Sequence, residues 1–156
     1  MQLRTAIRNS MLTADLNVRY WGYISRRYYK TAMTMKIFLV IMASGTVASW
    51  GIWQEIELLW KILSGIAAIL SIILPILRTE EKIDKTSFLK GKWIEVKNDY
   101  EFLWDTKENK NLNGLTQEYK RIRDKETKVS KKEKNLPYRS MLIAKCYKEV
   151  LKSRGL

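Results

Sequence analysis

The order of apolar and polar positions divides the chain into three patterns. Residues 1–36 mix aliphatic and aromatic side chains with arginine, residues 37–77 are almost wholly apolar, and residues 78–156 set apolar residues at helical spacing among many charges. In the middle, two apolar runs, Ile37 to Trp53 and Leu58 to Leu77, are separated only by Gln54, Glu55, Ile56 and Glu57. The first run carries no charge over its 17 residues, and the second, of 20, carries only Lys61, near one end. A bilayer core about 30 Å thick is crossed by about 20 apolar residues of helix, so the pattern predicts a transmembrane hairpin. The linker leaves no room for a domain, so the two helices are expected to be antiparallel neighbours. A buried hairpin in a soluble protein is the competing reading, but the rest of the chain offers little apolar sequence to wrap it.

The flanking patterns are helical as well. Leu12, Leu16, Tyr20 and Tyr23 recur at three and four residues, and the run from Tyr20 to Lys30 is dense in tyrosine and arginine. That mixture suits an interfacial amphipathic helix over 1–36, with rings at headgroup depth and guanidinium groups on phosphates. Base stacking beside a basic groove is the rival. Beyond Arg78, Thr79 with Glu80 and Glu81 reads as a helix start. Leu89, Trp93, Val96, Tyr100 and Leu103 form a seam at spacings of four and three, packed either within the chain or against another copy. Asn109 to Gly114 reads as a loop with an Asn-Gly turn. A highly charged helix follows from Leu115 to about Lys134, keeping Leu115, Tyr119, Ile122 and Val129 on its apolar side. Asn135-Leu136-Pro137 resets the chain, and a last helix starts at Tyr138, carries Met141, Leu142, Tyr147, Val150 and Leu151, and is stopped by Gly155. With no convincing strand alternation, the expected fold class is an all-α membrane protein. Its transmembrane hairpin occupies 37–77 and its cytoplasmic helical module 78–156.

Charge adds an orientation. Seven Lys and Arg residues precede Ile37 and twenty-one follow from Arg78 onward, while the linker between the spans has none. The net charge of +13 therefore lies on the two flanks. Basic residues stay on the cytoplasmic side, so both termini are expected in the cytoplasm, with Gln54 to Glu57 outside. Arg26, Arg27, Lys36 and Arg78 on one side and Trp50, Trp53 and Trp60 on the other are the expected interface anchors. Positive-inside bias and attraction to anionic headgroups account for the charge more simply than a nucleic-acid partner does. The first apolar run begins too late for a signal peptide.

Little in the sequence speaks for catalysis. Cys146 is the single cysteine and histidine is absent, which excludes an intrachain disulfide, common zinc sites and His-based triads or dyads. Acidic pairs such as Asp99/Glu101 fall on different helix faces, and Gly91 and Gly114 belong to no phosphate-cradling motif. Cys146 reads as a small buried thiol. No metal or cofactor is expected, and no enzyme activity. The spans are more suggestive: Ser64, Ala68, Ser71 and Pro75 follow one another at helical spacing, and Gly45 and Ser49 form a small-xxx-small pair. Such surfaces bring helices close together, either to join the hairpin or, in a homo-oligomer, to line a pore.

The segment Leu16-Asn-Val-Arg-Tyr-Trp-Gly-Tyr-Ile-Ser-Arg-Arg-Tyr-Tyr-Lys30 before the hairpin, Trp93 to Trp104 after it, and the ending Leu136-Pro-Tyr-Arg-Ser-Met-Leu-Ile-Ala-Lys-Cys-Tyr-Lys-Glu-Val150 resemble the bacterial SLATT-like two-transmembrane effectors of anti-phage defence. The resemblance covers most of the chain as a pattern of arrangement. It implies a homo-oligomer that permeabilises the inner membrane when triggered, encoded beside a nucleotide-synthesising or sensor protein, sometimes under control of a nucleotide second messenger. Lys120, Arg121, Arg123 and Lys125 are the expected surface for an anionic ligand or partner. A membrane anchor that recruits a cytoplasmic partner, or a holin-like protein, is the alternative.

Overall fold

The computed structural model describes residues 2–52, 57–134 and 136–155, with side chains at all of these except 45–52, 57 and 60. Five α-helices and one short 3-10 turn make up the described residues, with no strand among them: α1 (Gln2–Ile52), α2 (Glu57–Ile76), α3 (Thr79–Asp105), a 3-10 turn (Lys107–Asn109), α4 (Leu112–Lys131) and α5 (Ser140–Ser153). The all-α expectation therefore holds. Two compact units are present, residues 1–24 with 85–156, and residues 25–84. These limits differ from the divisions at 36 and 78 read from hydropathy. Apolar runs mark where greasy residues lie, whereas compact units follow packing.

In the first unit the α3 seam is the spine of the core. Leu89, Trp93, Val96, Tyr100 and Leu103 are all buried, so the seam packs within the chain. Ile7, Met11, Ala14, Trp21 and Ile24 of α1 join it, together with Leu115, Ile122 and Val129 of α4 and Cys146 and Val150 of α5. Of the aromatic residues expected at an interface, Tyr20 and Trp21 are instead buried in this core. Trp21 is 3 % exposed and Tyr20 4 %. The Trp21 indole donates to Glu133 Oε1 at 2.8 Å, and the Tyr23 hydroxyl donates to Glu149 at 2.8 Å. Polar tips on large rings let a core hold both area and hydrogen bonds, a use that composition does not separate from an interfacial belt. Arg26, Arg27 and Tyr29 remain exposed.

Local chemistry sets the ends of these helices. Asn111, not an Asn-Gly turn, starts α4: its side-chain oxygen accepts from the Gly114 amide at 2.8 Å, as an N-cap does. A Cβ at Gly114 would lie 3.0 Å from that oxygen, so glycine there makes room for the cap. α5 ends as expected at Gly155, whose φ of +68° suits a residue without Cβ. The Tyr20 hydroxyl donates to the Pro137 carbonyl and accepts from the Arg139 amide at 3.2 Å, holding the connection between α4 and α5.

In the second unit α2 returns along α1. Ala32, Lys36 and Leu39 of α1 and Ser71, Leu74 and Pro75 of α2 line one cavity, and Lys36 Nζ lies 2.6 Å from Glu80. Ala32 and Met42 are buried, and Leu63, Ser64, Ala67, Leu70 and Leu74 form the half-buried face of α2. The chain leaves α2 through Arg78, whose φ of +43° lies in the left-handed region that costs a non-glycine residue about 1–2 kcal/mol. Among the described residues no single helix is long and apolar enough to cross a membrane, while the bent pair Lys61–Ile76 with Thr79–Asp105 passes by length and composition.

Candidate functional site

Two surfaces stand out, one in each unit. On the residue 25–84 unit, Val40 and Ile41 of α1 and Leu58, Leu59, Ile62, Ile69, Ile72 and Ile76 of α2 are each at least half exposed. Large apolar side chains thus point outward along both helices. Lys36, Glu80, Arg78 and Glu81 gather at the end where α2 gives way to α3. Lys36 pairs with Glu80, and Arg78 reaches Glu81 at 3.6 Å. Lys36 and its hydrogen bond hold the Glu80 carboxyl below its ordinary range. Between the helices at this end lies an apolar cavity of about 360 Å³, lined by Leu39, Leu74 and Pro75 with Lys36 and Arg78 at its rim.

The small residues of α2 are divided by this packing. Ser64 lies on the half-buried face, whereas Ala68 and Ser71 are exposed, and the Ser71 hydroxyl is spent on the Ala68 carbonyl at 2.7 Å. Hydroxyl back-bonding of this kind is a common way for a helix to absorb serine. Gly45 and Ser49 lie in α1, but their surroundings, and those of Trp50 and Trp60, are outside the described side chains; Trp53 is outside the described residues altogether.

The second surface is a groove of about 220 Å³ between α3 and α4. Lys92 and Glu95 stand on one wall, Lys125, Lys128 and Lys132 on the other, and Val96 and Val129 also line it. Lys92 binds Glu95 at 2.7 Å and Lys125 binds Asp99 at 2.6 Å. Lys128 and Lys132 have no carboxylate partner among the described residues. Lys132 Nζ lies 4.7 Å, and Lys92 Nζ 5.8 Å, from the centre of the half-exposed Phe88 ring.

Of the four basic residues expected to form one surface, only Lys125 lines this groove. Arg123 faces elsewhere and donates to Glu126 Oε2 at 2.9 Å, and that carboxylate raises its already high pKa. Lys120 and Arg121 are exposed on other parts of α4. A contiguous basic cluster is spread around a helix. The signal that would have found the groove is Lys125, Lys128 and Lys132 at spacings of three and four, which share a face.

The sequence reading also passed over three acids that organise the first unit. Glu126, buried, accepts from the Tyr100 hydroxyl at 2.6 Å, next to Ser10 and Tyr119, whose hydroxyls are 3.1 Å apart. Burial, with Glu126 close by, pushes the Tyr100 phenol well above its ordinary value. Glu133 Oε1 takes both indole N–H groups, Trp21 at 2.8 Å and Trp93 at 2.6 Å. Asp15, also buried, is met by Arg19 and by Arg154, which in addition binds Glu101. Each acid ties together residues from different helices. Among the described residues no group of histidine, cysteine or acidic side chains is placed to hold a metal ion. No family model, curated protein or solved structure matches the chain.

Proposed function

We propose that this chain is a bacterial inner-membrane effector whose α1–α2 hairpin enters the bilayer and whose helical unit controls it. The observation that carries the proposal is the outward apolar surface of residues 25–84. Ile72 is 66 % exposed and Ile76 73 %, and their neighbours along α2 are comparable. In water this surface is costly, at about 25 cal/mol per Å², and soluble monomers keep contiguous apolar patches to a few hundred Å². In a bilayer the same side chains are solvated by lipid. Lys36 and Arg78 then fall at the headgroups on the cytoplasmic side, where the basic excess of the rest of the chain also belongs.

The proposed activity is permeabilisation or depolarisation of the membrane by a homo-oligomer on triggering, with growth arrest as the outcome, as the resemblance to SLATT-like anti-phage effectors implies. No charged side chain lies deep in the expected spans, which argues against a proton relay or a carrier with a charged site. Small residues such as Gly45, Ser49 and Ser64 are the proposed helix-packing positions of the assembly. An operon-encoded nucleotide-synthesising or sensor protein is the proposed partner.

The test is expression in bacteria with and without neighbouring genes, while a membrane-potential dye is followed. Loss of potential under triggering conditions supports the effector. Unchanged potential under all of them, with the protein still in membranes, identifies an anchor instead. Recovery in the soluble fraction after an alkaline wash overturns the membrane reading.

A further inference from the structure

We infer that the outward face of α5 docks an acidic amphipathic helix of another protein, with apolar residues against Met141, Ala144 and Leu151 and carboxylates on Lys148 and Lys152. The inference concerns a surface of the helical unit and does not depend on the membrane reading.

Pattern is the first argument. Cys146 and Val150 turn the inner face of α5 into the core. On its opposite side Met141, Ala144, Lys148 and Leu151 follow at spacings of three, four and three, the repeat by which one helix packs along another. Met141 is 88 % exposed, Ala144 and Lys148 are exposed, and Leu151 is half-buried. Tyr147, also exposed, borders this stripe on one side, and Lys145 and Lys152 border it on the other.

Charge selects the occupant. Glu149, the only acid in α5, is half-buried and taken by the Tyr23 hydroxyl at 2.8 Å, with Lys145 at 3.9 Å. Lys148 and Lys152 are exposed and have no carboxylate partner among the described residues. A second copy does not fit this face. Parallel pairing sets Lys148 against Lys148 in the seam, and antiparallel pairing brings the flanks that carry Lys145 and Lys152 together. A lipid surface takes a continuous apolar stripe with cations at its margin, whereas Lys148 stands within the stripe. A helix with one acid opposite Lys148 and another beside Lys152 meets both cations, and the same charges reject partners that lack those acids.

The test uses the intact chain, purified in detergent, and a fluorescein-labelled synthetic helix with leucines along its inward stripe, one glutamate among them and glutamates beside them. Fluorescence anisotropy should show saturable binding, and K148E/K152E should weaken it about tenfold or more. A version of the peptide with lysine for glutamate should bind K148E/K152E and not the parent. The same two reversals on exposed α4 (K120E/K131E) should change binding less than about twofold. Met141→Ser should weaken it about fivefold. Far-UV circular dichroism on each variant separates loss of binding from loss of fold. No saturable binding at about 100 µM peptide overturns the proposal, as does equal weakening in the two double variants. Photoreactive benzoylphenylalanine in place of Met141, with the chain in phosphatidylglycerol nanodiscs and the peptide present, should link to the peptide. A link to a second copy or to lipid instead assigns the face to that occupant, and the protein-partner inference falls.

Discussion

Glu133 is the acid on which two tryptophans of the first unit converge, and replacing it gives the sharpest test of how that unit is held. Trp93 is 1 % exposed and Trp21 3 %, and both indoles donate to the same oxygen. An indole N–H can only donate, so Glu133→Leu leaves two donors without an acceptor. Each orphaned buried donor costs about 1–3 kcal/mol. Glu133 itself is only half-buried, so water recovers part of this, and the expected loss is about 2–4 kcal/mol. Glu133→Gln keeps an acceptor oxygen and loses only the charge assistance, about 1 kcal/mol. The measurement is urea denaturation of the full-length chain followed by tryptophan emission, with Lys131→Leu on exposed α4 surface as control, expected within about 0.5 kcal/mol of the parent. If Glu133→Leu falls within that margin, the double indole contact does not hold the unit. If Glu133→Gln loses as much as Glu133→Leu, the negative charge matters and the acceptor geometry does not.

The raised Tyr100 and Tyr20 phenols predict an alkaline weakness. Below the ordinary tyrosine value near 10 both states hold the proton, but above it the unfolded chain loses protons that the folded chain keeps, so stability falls as pH rises. Tyr100→Phe should flatten that slope in denaturation midpoints measured above pH 10, and an unchanged slope would refute the assignment. Cys146 is fully buried and burial raises its thiol pKa, so Ellman's reagent at pH 8 should react slowly until urea is added; rapid reaction in the native state would contradict the packing. Ile69→Lys/Ile72→Lys puts two charges on the outward face of α2, at about 2.5–3.5 kcal/mol each near the centre of a span. The double variant should be lost from the alkali-washed membrane fraction that retains the parent, and full retention would count against bilayer insertion of that face.

Much of the fold was legible along the chain. Helical spacing identified the α3 seam, and all five of its residues are buried. Gly155 ended α5 and two acids opened α3, because caps and dipoles act within one turn of the chain. Asn111 was harder. Asn-Gly reads as a turn, and only the capping contact to Gly114 shows that the signal lay two residues earlier. The apolar residues of α5 divided against expectation: Val150 is buried, while Met141 is 88 % exposed. Periodicity gives a stripe, but how much of it is covered depends on the neighbouring helix.

The sequence by itself determined that this protein is helical, that residues 37–77 are almost wholly apolar, and that histidine chemistry and an intrachain disulfide are excluded. These follow from composition and from spacing within single helices. Only the tertiary structure decided that Tyr20 and Trp21 serve a core, that Glu126, Glu133 and Asp15 join helices, and which of many lysines share a groove. Those outcomes depend on which faces of distant helices meet, and residues such as Trp21 and Glu133 are brought together by packing that no local pattern encodes.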